Sequence, residues 1–198
     1  MTPPEAIPSA RRQELLEAAY AYALRTGLTG LSLRPLAEAI GSSPRVLLYL
    51  FGSKDGLIRA LLARARTEEL AHIEQLPTGE LHETARELWR WLAADTHRGL
   101  LTLWVESYSR SLTDPDGPWS DFARDTVTDW LTLLATAQPP ALRDTAPALA
   151  RRTLLLAVLR GALLDLLATG DTARTTEAVH LHLSTHPESP PSQPCEND

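Results

Sequence analysis

Apolar residues recur along this chain at the three- and four-residue spacing of amphipathic helices, and no segment alternates apolar and polar residues as a strand would. The pattern predicts an all-α protein. A first helix is expected to begin with Ser9 as its N-cap and to end at Thr26 and Gly27. Its predicted inner side consists of Leu15, Leu16, Ala19, Ala23 and Leu24.

Two short helices are predicted next, separated by a tight turn. Ser32 is a candidate N-cap for the second helix, which Gly41 would end. Ser43 is a candidate N-cap for the third helix, and Pro44 fits its first position, where no N–H is needed. Ser53 would cap a long fourth helix that reaches about Gln75. This arrangement is a helix-turn-helix, a motif that typically places its second helix in the major groove of DNA.

The helices expected beyond residue 80 are richer in large apolar side chains, and the segment 153–171 is apolar on nearly all sides. A helix of that kind must be covered on more than one face, by its own domain or by a partner subunit. No apolar run is long enough and free enough of charge to span a bilayer. We therefore expect a soluble protein that does not bind membranes.

Charge is unevenly distributed along the chain, whose net charge is −6. Residues 1–60 carry seven Lys and Arg against five Asp and Glu, whereas the remainder is strongly acidic, so any DNA contact belongs to the N-terminal end. Lys54 is the only lysine beside eighteen arginines. The single cysteine, Cys195, excludes a disulfide framework and a zinc motif, so we expect a cytoplasmic protein without metal or cofactor.

The third helix has one apolar face and one face available to a partner. On a helical wheel Leu47, Leu50 and Phe51 fall together with Ser43, whereas Arg45 and Tyr49 lie on the opposite side. Arg45 is suited to donate two hydrogen bonds to a guanine edge. Tyr49 would reach a base or a phosphate, and Lys54, with Ser32 and Ser43, would contact phosphates. The alternative interpretation is that these are ordinary solvated surface residues.

The same stretch resembles the N-terminal domain of TetR-family transcriptional regulators. The resemblance rests on Gly27, Ser32, Leu36, Ala37, Ile40, Gly41, Ser43, Leu47, Phe51, Ser53 and Lys54. It implies a helical homodimer, with a larger C-terminal domain that binds a small molecule and dimerises through its last two long helices. It also implies that Ser43, Pro44, Arg45 and Val46 read bases in a palindromic operator, and that Lys54 contacts phosphate. Leu48 departs from the family pattern, which usually has tyrosine there.

The candidate effector site is aromatic. All five tryptophans lie beyond residue 80, and an apolar pocket lined by them would suit a hydrophobic or aromatic effector. The candidate pocket residues are Trp89, Trp104, Glu106, Tyr108 and Trp130. Ordinary core packing is the alternative for each tryptophan, and a paired or exposed carboxylate is the alternative for Glu106.

The candidate dimer interface includes the apolar helix within 153–171, because charge within an apolar helix typically pairs across or borders a subunit interface. The family resemblance implies dimerisation through the last two long helices. The candidate interface residues are Trp130, Leu134, Leu156, Arg160, Gly161 and Leu164.

Together these observations predict a sequence-specific DNA-binding regulator, expected to act as a repressor under the control of a small effector. The predicted domains are a helix-turn-helix at 9–52 and an effector-binding and dimerisation domain at 53–185, with disordered segments at 1–8 and 186–198. The rival function is a helical dimeric interaction module without sequence-specific DNA binding. An enzyme is disfavoured because the chain has no catalytic triad motif, no glycine-rich phosphate loop, and neither HExxH nor CxxC.

Overall fold

The computed structural model describes residues 6–73 and 80–185, and these residues form helices without any strand. The all-α prediction is confirmed. The helices are α1 (Ala6–Thr26), α2 (Leu33–Ala39), α3 (Pro44–Phe51), α4 (Lys54–Ile73), α5 (Leu81–Leu92), α6 (Arg98–Thr113), α7 (Phe122–Thr136), α8 (Ala146–Thr169) and α9 (Thr172–Thr185). A 3-10 turn at Asp95–His97 leads into α6. Across both described ranges, no helix is both long enough and apolar enough to cross a membrane.

The helices group into two compact units. The first contains α1 to α4 together with residues 94–130, and the second contains α5 together with residues 131–185. The helix-turn-helix therefore shares its unit with α6, although the two are distant in sequence. The predicted boundary between residues 52 and 53 remains a prediction. The disorder predicted for residues 1–8 and 186–198 concerns positions outside the described ranges, except that residues 6–8 lie in α1.

The first helix begins earlier than predicted. It starts at Ala6, so Ser9 lies inside the helix and is not its N-cap. Pro8 does not prevent this, because it falls in the first turn, where backbone N–H groups have no helical acceptor. Of the predicted inner side, Leu15, Leu16, Ala19 and Ala23 are at most 7% exposed, whereas Leu24 is half-buried.

A network around Arg64 fastens α1 to α4. Its Nε donates to both carboxylate oxygens of Glu17 at 2.8 and 3.0 Å, and its Nη1 donates to Glu68 at 2.9 Å. The guanidinium also lies 4.7 Å from the centre of the Tyr20 ring, a cation–π distance. Burial raises the pKa of the Tyr20 phenol above its usual value, so this ring remains neutral over the physiological range.

Candidate nucleic-acid interface

The turn of the helix-turn-helix is built from local backbone chemistry. At the end of α2, Gly41 adopts a positive φ of 64°, which ends the helix as predicted. The N–H of Gly41 donates to the carbonyl of Glu38, and the N–H of Ser42 donates to that of Ala37 at 2.8 Å. These two hydrogen bonds form a Schellman motif, which satisfies the last carbonyls of α2 and directs the chain into α3.

The start of α3 is capped as predicted. Ser43 Oγ accepts a hydrogen bond from the N–H of Val46 at 3.3 Å, and Pro44 occupies the first turn. Leu47 and Phe51 are 1% and 8% exposed, so they anchor the helix against its own unit. The helical wheel places Leu50 on the same face as Leu47 and Phe51, but Leu50 is only half-buried. The anchoring is enough to hold one face of α3 inward and leave the other in solvent.

The outward face of α3 combines a charge, a phenol and two aliphatic side chains. Arg45 is exposed, and Tyr49 is 80% exposed, as the wheel predicted. Val46 and Leu48 are also exposed, at 38% and 42%. Arginine can bind guanine O6 and N7 together, and aliphatic side chains can contact the thymine methyl group. Leu48, which replaces the tyrosine usual in the family, is therefore exposed enough to contact a thymine methyl group.

A close turn joins α3 to α4 and places Lys54 beside the end of α3. Gly52 ends α3 with a φ of 77°, and Ser53 Oγ accepts from the N–H of Gly56 at 2.9 Å, which confirms Ser53 as the cap. A Cβ at Gly56 would overlap the carbonyl oxygen of Phe51, so only glycine permits this approach. Lys54 is exposed in the first turn of α4, where its charge adds to free backbone N–H groups.

Ser32 has the backbone of an N-cap but does not cap through its side chain. Its φ and ψ are −117° and 134°, yet its hydroxyl makes no capping hydrogen bond. Ser32 is therefore the N-cap through its backbone only: Pro35 at the third position has no N–H to donate, and the hydrogen bond from the N–H of Arg34 is not formed. The Ser32 side chain is exposed on the surface.

Arg12 is a positive residue at this surface that sequence reasoning did not single out. Its guanidinium lies 5.0 Å from the centre of the Phe51 ring, close to the junction of α3 and α4. The nearby Arg11 is instead paired with Glu14 at 2.6 Å. Only the tertiary arrangement distinguishes the two arginines, since they are adjacent in the sequence.

Four of the predicted pocket residues lie in the first unit, and three of these four are aromatic. The rings of Trp104 and Tyr108 have centroids 5.1 Å apart, and Trp104 is 7% exposed. Trp130, at 3% exposed, donates its Nε1 proton to Glu69 Oε1 at 2.6 Å. Glu69 is itself only 6% exposed, and sequence reasoning missed it because its helix carries several similar carboxylates.

An ion-pair cluster joins α4 and α7 one turn away from Glu69. Arg66 contacts Asp125 at 2.8 Å and Asp129 at 2.7 Å. Burial alone would lower the pKa of Arg66, but its hydrogen bonds to Asp129 and Asp125 raise it. The cluster therefore holds α7 in a fixed register on α4, with Trp130 and Glu69 adjacent to it.

The other two predicted pocket residues have different surroundings. Trp89 belongs to the second unit, is 1% exposed, and donates to the hydroxyl of Thr176 at 3.0 Å. Glu106 turns to the end of α1, where its Oε2 accepts the backbone N–H of Leu28 at 2.9 Å. These contacts favour the alternatives stated for both residues, namely core packing for Trp89 and a paired carboxylate for Glu106.

The predicted interface residues divide by burial. Trp130, Leu134 and Leu156 are at most 4% exposed within the chain, so their side chains offer little surface to a partner. Arg160 is half-buried, whereas Gly161 is exposed and Leu164 is 50% exposed. Among the exposed positions of α8, one set follows a heptad spacing, namely Ala150, Leu154, Ala157, Gly161, Leu164 and Ala168.

Asp165 flanks that exposed face and is paired within the chain. Arg174 of α9 contacts its carboxylate at 2.6 Å, and this hydrogen bond lowers the pKa of Asp165. The pair links α8 to α9 on the surface of the second unit. The charge of Asp165, within an otherwise apolar helix, is therefore paired inside its own chain.

Two short helices, α2 and α3, joined by the tight turn at Gly41, with α3 anchored on one face and Arg45 exposed on the other, have the arrangement of a helix-turn-helix DNA-binding protein. The profile of the family described as "Bacterial regulatory proteins, tetR family" matches residues 15–61. Over 169 residues the chain is 30% identical to the HTH-type transcriptional repressor AcnR of Corynebacterium diphtheriae, covering 83% of this chain and 85% of AcnR. The chain belongs to the TetR family of transcriptional regulators, and it is not an enzyme.

Solved structures agree with this assignment. A transcriptional regulator from Rhodococcus sp. Rha1 has the same fold, with a TM-score of 0.73 at 21% identity over 88% of this chain and 94% of its own. The multidrug binding protein EbrR, complexed with imidazole, superposes with a TM-score of 0.63 at 28% identity, over 91% of this chain and 93% of its own. A second EbrR structure, complexed with proflavin, gives a TM-score of 0.60 at 26% identity, over 87% and 99%.

Replacing Lys54 with alanine is expected to weaken DNA binding about equally for all sequences and to reduce the slope of log K against log salt by about 1. The reason is that a phosphate contact contributes charge without reading bases. Binding isotherms at several salt concentrations measure both effects. Arg90→Ala is the matched control, because Arg90 is 71% exposed in the second unit and the same charge is lost. A salt slope that falls equally in both variants would contradict the assignment of Lys54.

Proposed function

We propose that the chain is a homodimeric, operator-binding repressor that acts in the cytoplasm and releases or binds DNA in response to a small aromatic effector. The exposed face of α3 carries this proposal, because an inward Leu47 and an outward Arg45 and Tyr49 make the helix a reader of the major groove. The repressor name of AcnR, a relative over most of the chain, supports the sign of control.

The proposed DNA contacts follow the surface of the helix-turn-helix. Ser43, Pro44, Arg45 and Val46 lie at the start of α3 and are assigned to base reading, with Tyr49 reaching a base or a phosphate. Lys54 and the hydroxyl of Ser32, which makes no capping hydrogen bond, are assigned to phosphate contacts. Arg12 adds a further positive charge beside Phe51.

Selection of bound fragments from a random or genomic DNA pool, at stated salt, tests the proposal. A homodimer is expected to select a palindrome whose half-sites are centred about 34 Å, or one helical turn, apart. Recovery of no common sequence would contradict it and favour the rival interaction module. The selected operator then becomes the probe for every variant described below.

The proposed effector site lies in the first unit, at Trp104, Tyr108 and Trp130, with the buried carboxylate of Glu69 hydrogen-bonded to Trp130. Aromatic walls and one fixed polar group are the usual composition of a small-molecule site. The EbrR complexes with imidazole and proflavin support a planar aromatic ligand. Proflavin added to the operator complex is the direct probe, and we expect it to shift operator affinity and to quench tryptophan emission. Failure of both signals would remove proflavin-like molecules from the candidates.

The proposed dimer surface is the exposed heptad face of α8, together with Leu181 of α9, which is 63% exposed. Leucine and alanine at heptad spacing form the seam along which helices of two subunits pack. Such a face, left in solvent, would be an unusual extended apolar surface for a monomer.

Replacing Gly161 with leucine is expected to raise the dimer dissociation constant about tenfold or more, which corresponds to about 1.4 kcal/mol. A Cβ at Gly161 meets no atom within 4 Å of its own chain, so the added side chain disturbs a partner rather than the monomer. Sedimentation equilibrium measures the constant, and Gly161→Ala is the matched control with a small change in volume. An unchanged constant in Gly161→Leu would place the interface elsewhere.

A further inference from the structure

One hydrogen bond connects α6 to the turn that opens the helix-turn-helix. Glu106 of α6 accepts the backbone N–H of Leu28, which lies 78 residues earlier, with its Oε2 at 2.9 Å. Leu28 is 2% exposed, so this N–H has no access to bulk water. Its own carbonyl accepts the N–H of Leu31 at 3.0 Å, which shapes the turn that leads into α2. The carboxylate therefore holds Leu28, the second residue after α1, at the start of the turn that leads into α2.

The chain is shaped to admit this carboxylate. Gly27 adopts a positive φ of 76°, and a Cβ there would lie 2.9 Å from Glu106 Oε2. At a second point, a Cβ at Gly99 would lie 2.8 Å from the carbonyl oxygen of Leu24. Gly99 and Glu106 are seven residues apart and so share one face of α6. Two close approaches on one face mean that the end of α1 cannot slide on α6 without breaking the bond.

The opposite face of α6 carries the aromatic pair. Trp104 and Tyr108 are two residues before and after Glu106, and about 100° per residue places both of them across the helix from it. Their rings contact each other at 5.1 Å between centroids. One side of α6 thus carries the proposed effector residues, and the other side carries Glu106, which is hydrogen-bonded to Leu28 before the DNA-binding helices.

We propose that Glu106 is the positioning residue through which α6 sets the orientation of the helix-turn-helix, so that operator affinity depends on its hydrogen bond to Leu28. The inference rests on the proposed function and assigns to Glu106 a task different from ligand contact. A ligand against Trp104 and Tyr108 changes operator binding because movement of α6 carries the α1–α2 turn with it. Coupling of this kind requires a discrete physical link that both sites bias, and this bond supplies one.

Two substitutions separate the reach of the side chain from its charge. Glu106→Asp keeps the charge but is one methylene shorter, so it withdraws the acceptor from Leu28. Glu106→Gln loses the charge but keeps both the length and a carbonyl oxygen that accepts the same N–H. We expect Glu106→Asp to bind the selected operator about tenfold more weakly than the native protein, and Glu106→Gln to bind within about twofold of it. A pure charge effect instead predicts native affinity for Glu106→Asp and tighter binding than the native protein for Glu106→Gln, because loss of an acidic charge favours DNA binding.

Hydrogen exchange of the native protein and both variants is measured without DNA. The expected result for Glu106→Asp is faster exchange at Leu28 and through α2 and α3, with α5 and α9 unchanged, whereas Glu106→Gln retains the native protection. Glu83→Asp is the control for the same shortening, at an exposed position of the second unit. Circular dichroism establishes that every variant is folded, and Glu106→Gln provides the rescue.

Each outcome decides between the alternatives. Faster exchange at Leu28 with native operator affinity would make the bond a local contact only and overturn the proposal, as would native behaviour of Glu106→Asp in both measurements. If the native protein selects no operator, the proposed function fails. In that case exchange alone decides whether Glu106 fixes the helix-turn-helix on α6, and unchanged protection of α2 and α3 in Glu106→Asp would overturn it.

Discussion

Replacing Arg45 with alanine is expected to weaken binding to the selected operator by about 1–3 kcal/mol and to relax base choice at one position of each half-site. Arg45 lies in the first turn of α3, exposed on the face opposite Leu47. A guanidinium there can donate two parallel hydrogen bonds to guanine, a geometry that no other base pair reproduces. Loss of these bonds therefore affects the native operator more than a mismatched one.

Titration of Arg45→Ala against the native operator and against single-base variants measures both effects. Arg45→Lys is the control, because lysine keeps the charge but lacks the planar pair of donors. We expect Arg45→Lys to retain non-specific binding and to lose discrimination. Unchanged affinity and specificity in Arg45→Ala would show that the start of α3 does not read bases.

Replacing Leu47 with alanine is expected to lower the free energy of unfolding by about 2–5 kcal/mol, whereas the same change at Leu48 is expected to cost about 0.5 kcal/mol or less. The two leucines are neighbours in sequence, but Leu47 is 1% exposed and Leu48 is 42% exposed. Truncation of the buried side chain leaves a cavity, and truncation of the exposed one leaves only solvent. The pair therefore tests the orientation of α3 without reference to DNA.

Urea unfolding at one fixed protein concentration gives both values, since the proposed dimerisation would make the apparent stability depend on concentration. Leu48→Ala should stay folded, so any change in its operator binding reports contact with DNA rather than loss of structure. Equal costs at the two positions would mean that α3 is rotated from the orientation described above.

The local structure of the helix-turn-helix was predictable from neighbouring residues. Gly41 ends α2, Ser43 caps α3 and Ser53 caps α4, because each effect operates within about four residues of backbone. The two differences of detail are also local. Ser9 is inside α1 because Pro8 falls where no N–H is required, and Ser32 is the N-cap of α2 without a side-chain hydrogen bond, Pro35 at the third position having no N–H.

The partners of buried polar groups were not predictable in the same way. Its aromatic neighbours in sequence make Glu106 a candidate effector residue, with a paired carboxylate as the alternative, and only the tertiary structure pairs it with the backbone N–H of Leu28. No local pattern distinguishes Glu69 from the other carboxylates of its helix, although it accepts a hydrogen bond from Trp130, 61 residues away. Arg12 and Arg11 carry the same charge, and only packing places Arg12 over Phe51 while Arg11 pairs with Glu14.

The sequence by itself determined that this protein is helical, where the DNA-binding helices begin and end, and which side of α3 faces outward. Periodicity, caps and positive φ angles are properties of short segments, so they can be recognised without knowledge of the fold. The tertiary structure decided which helix supports the α1–α2 turn and which carboxylates are buried. Those outcomes depend on the close approach of helices that are distant along the chain, because a buried polar group takes whichever partner packing brings within about 3 Å.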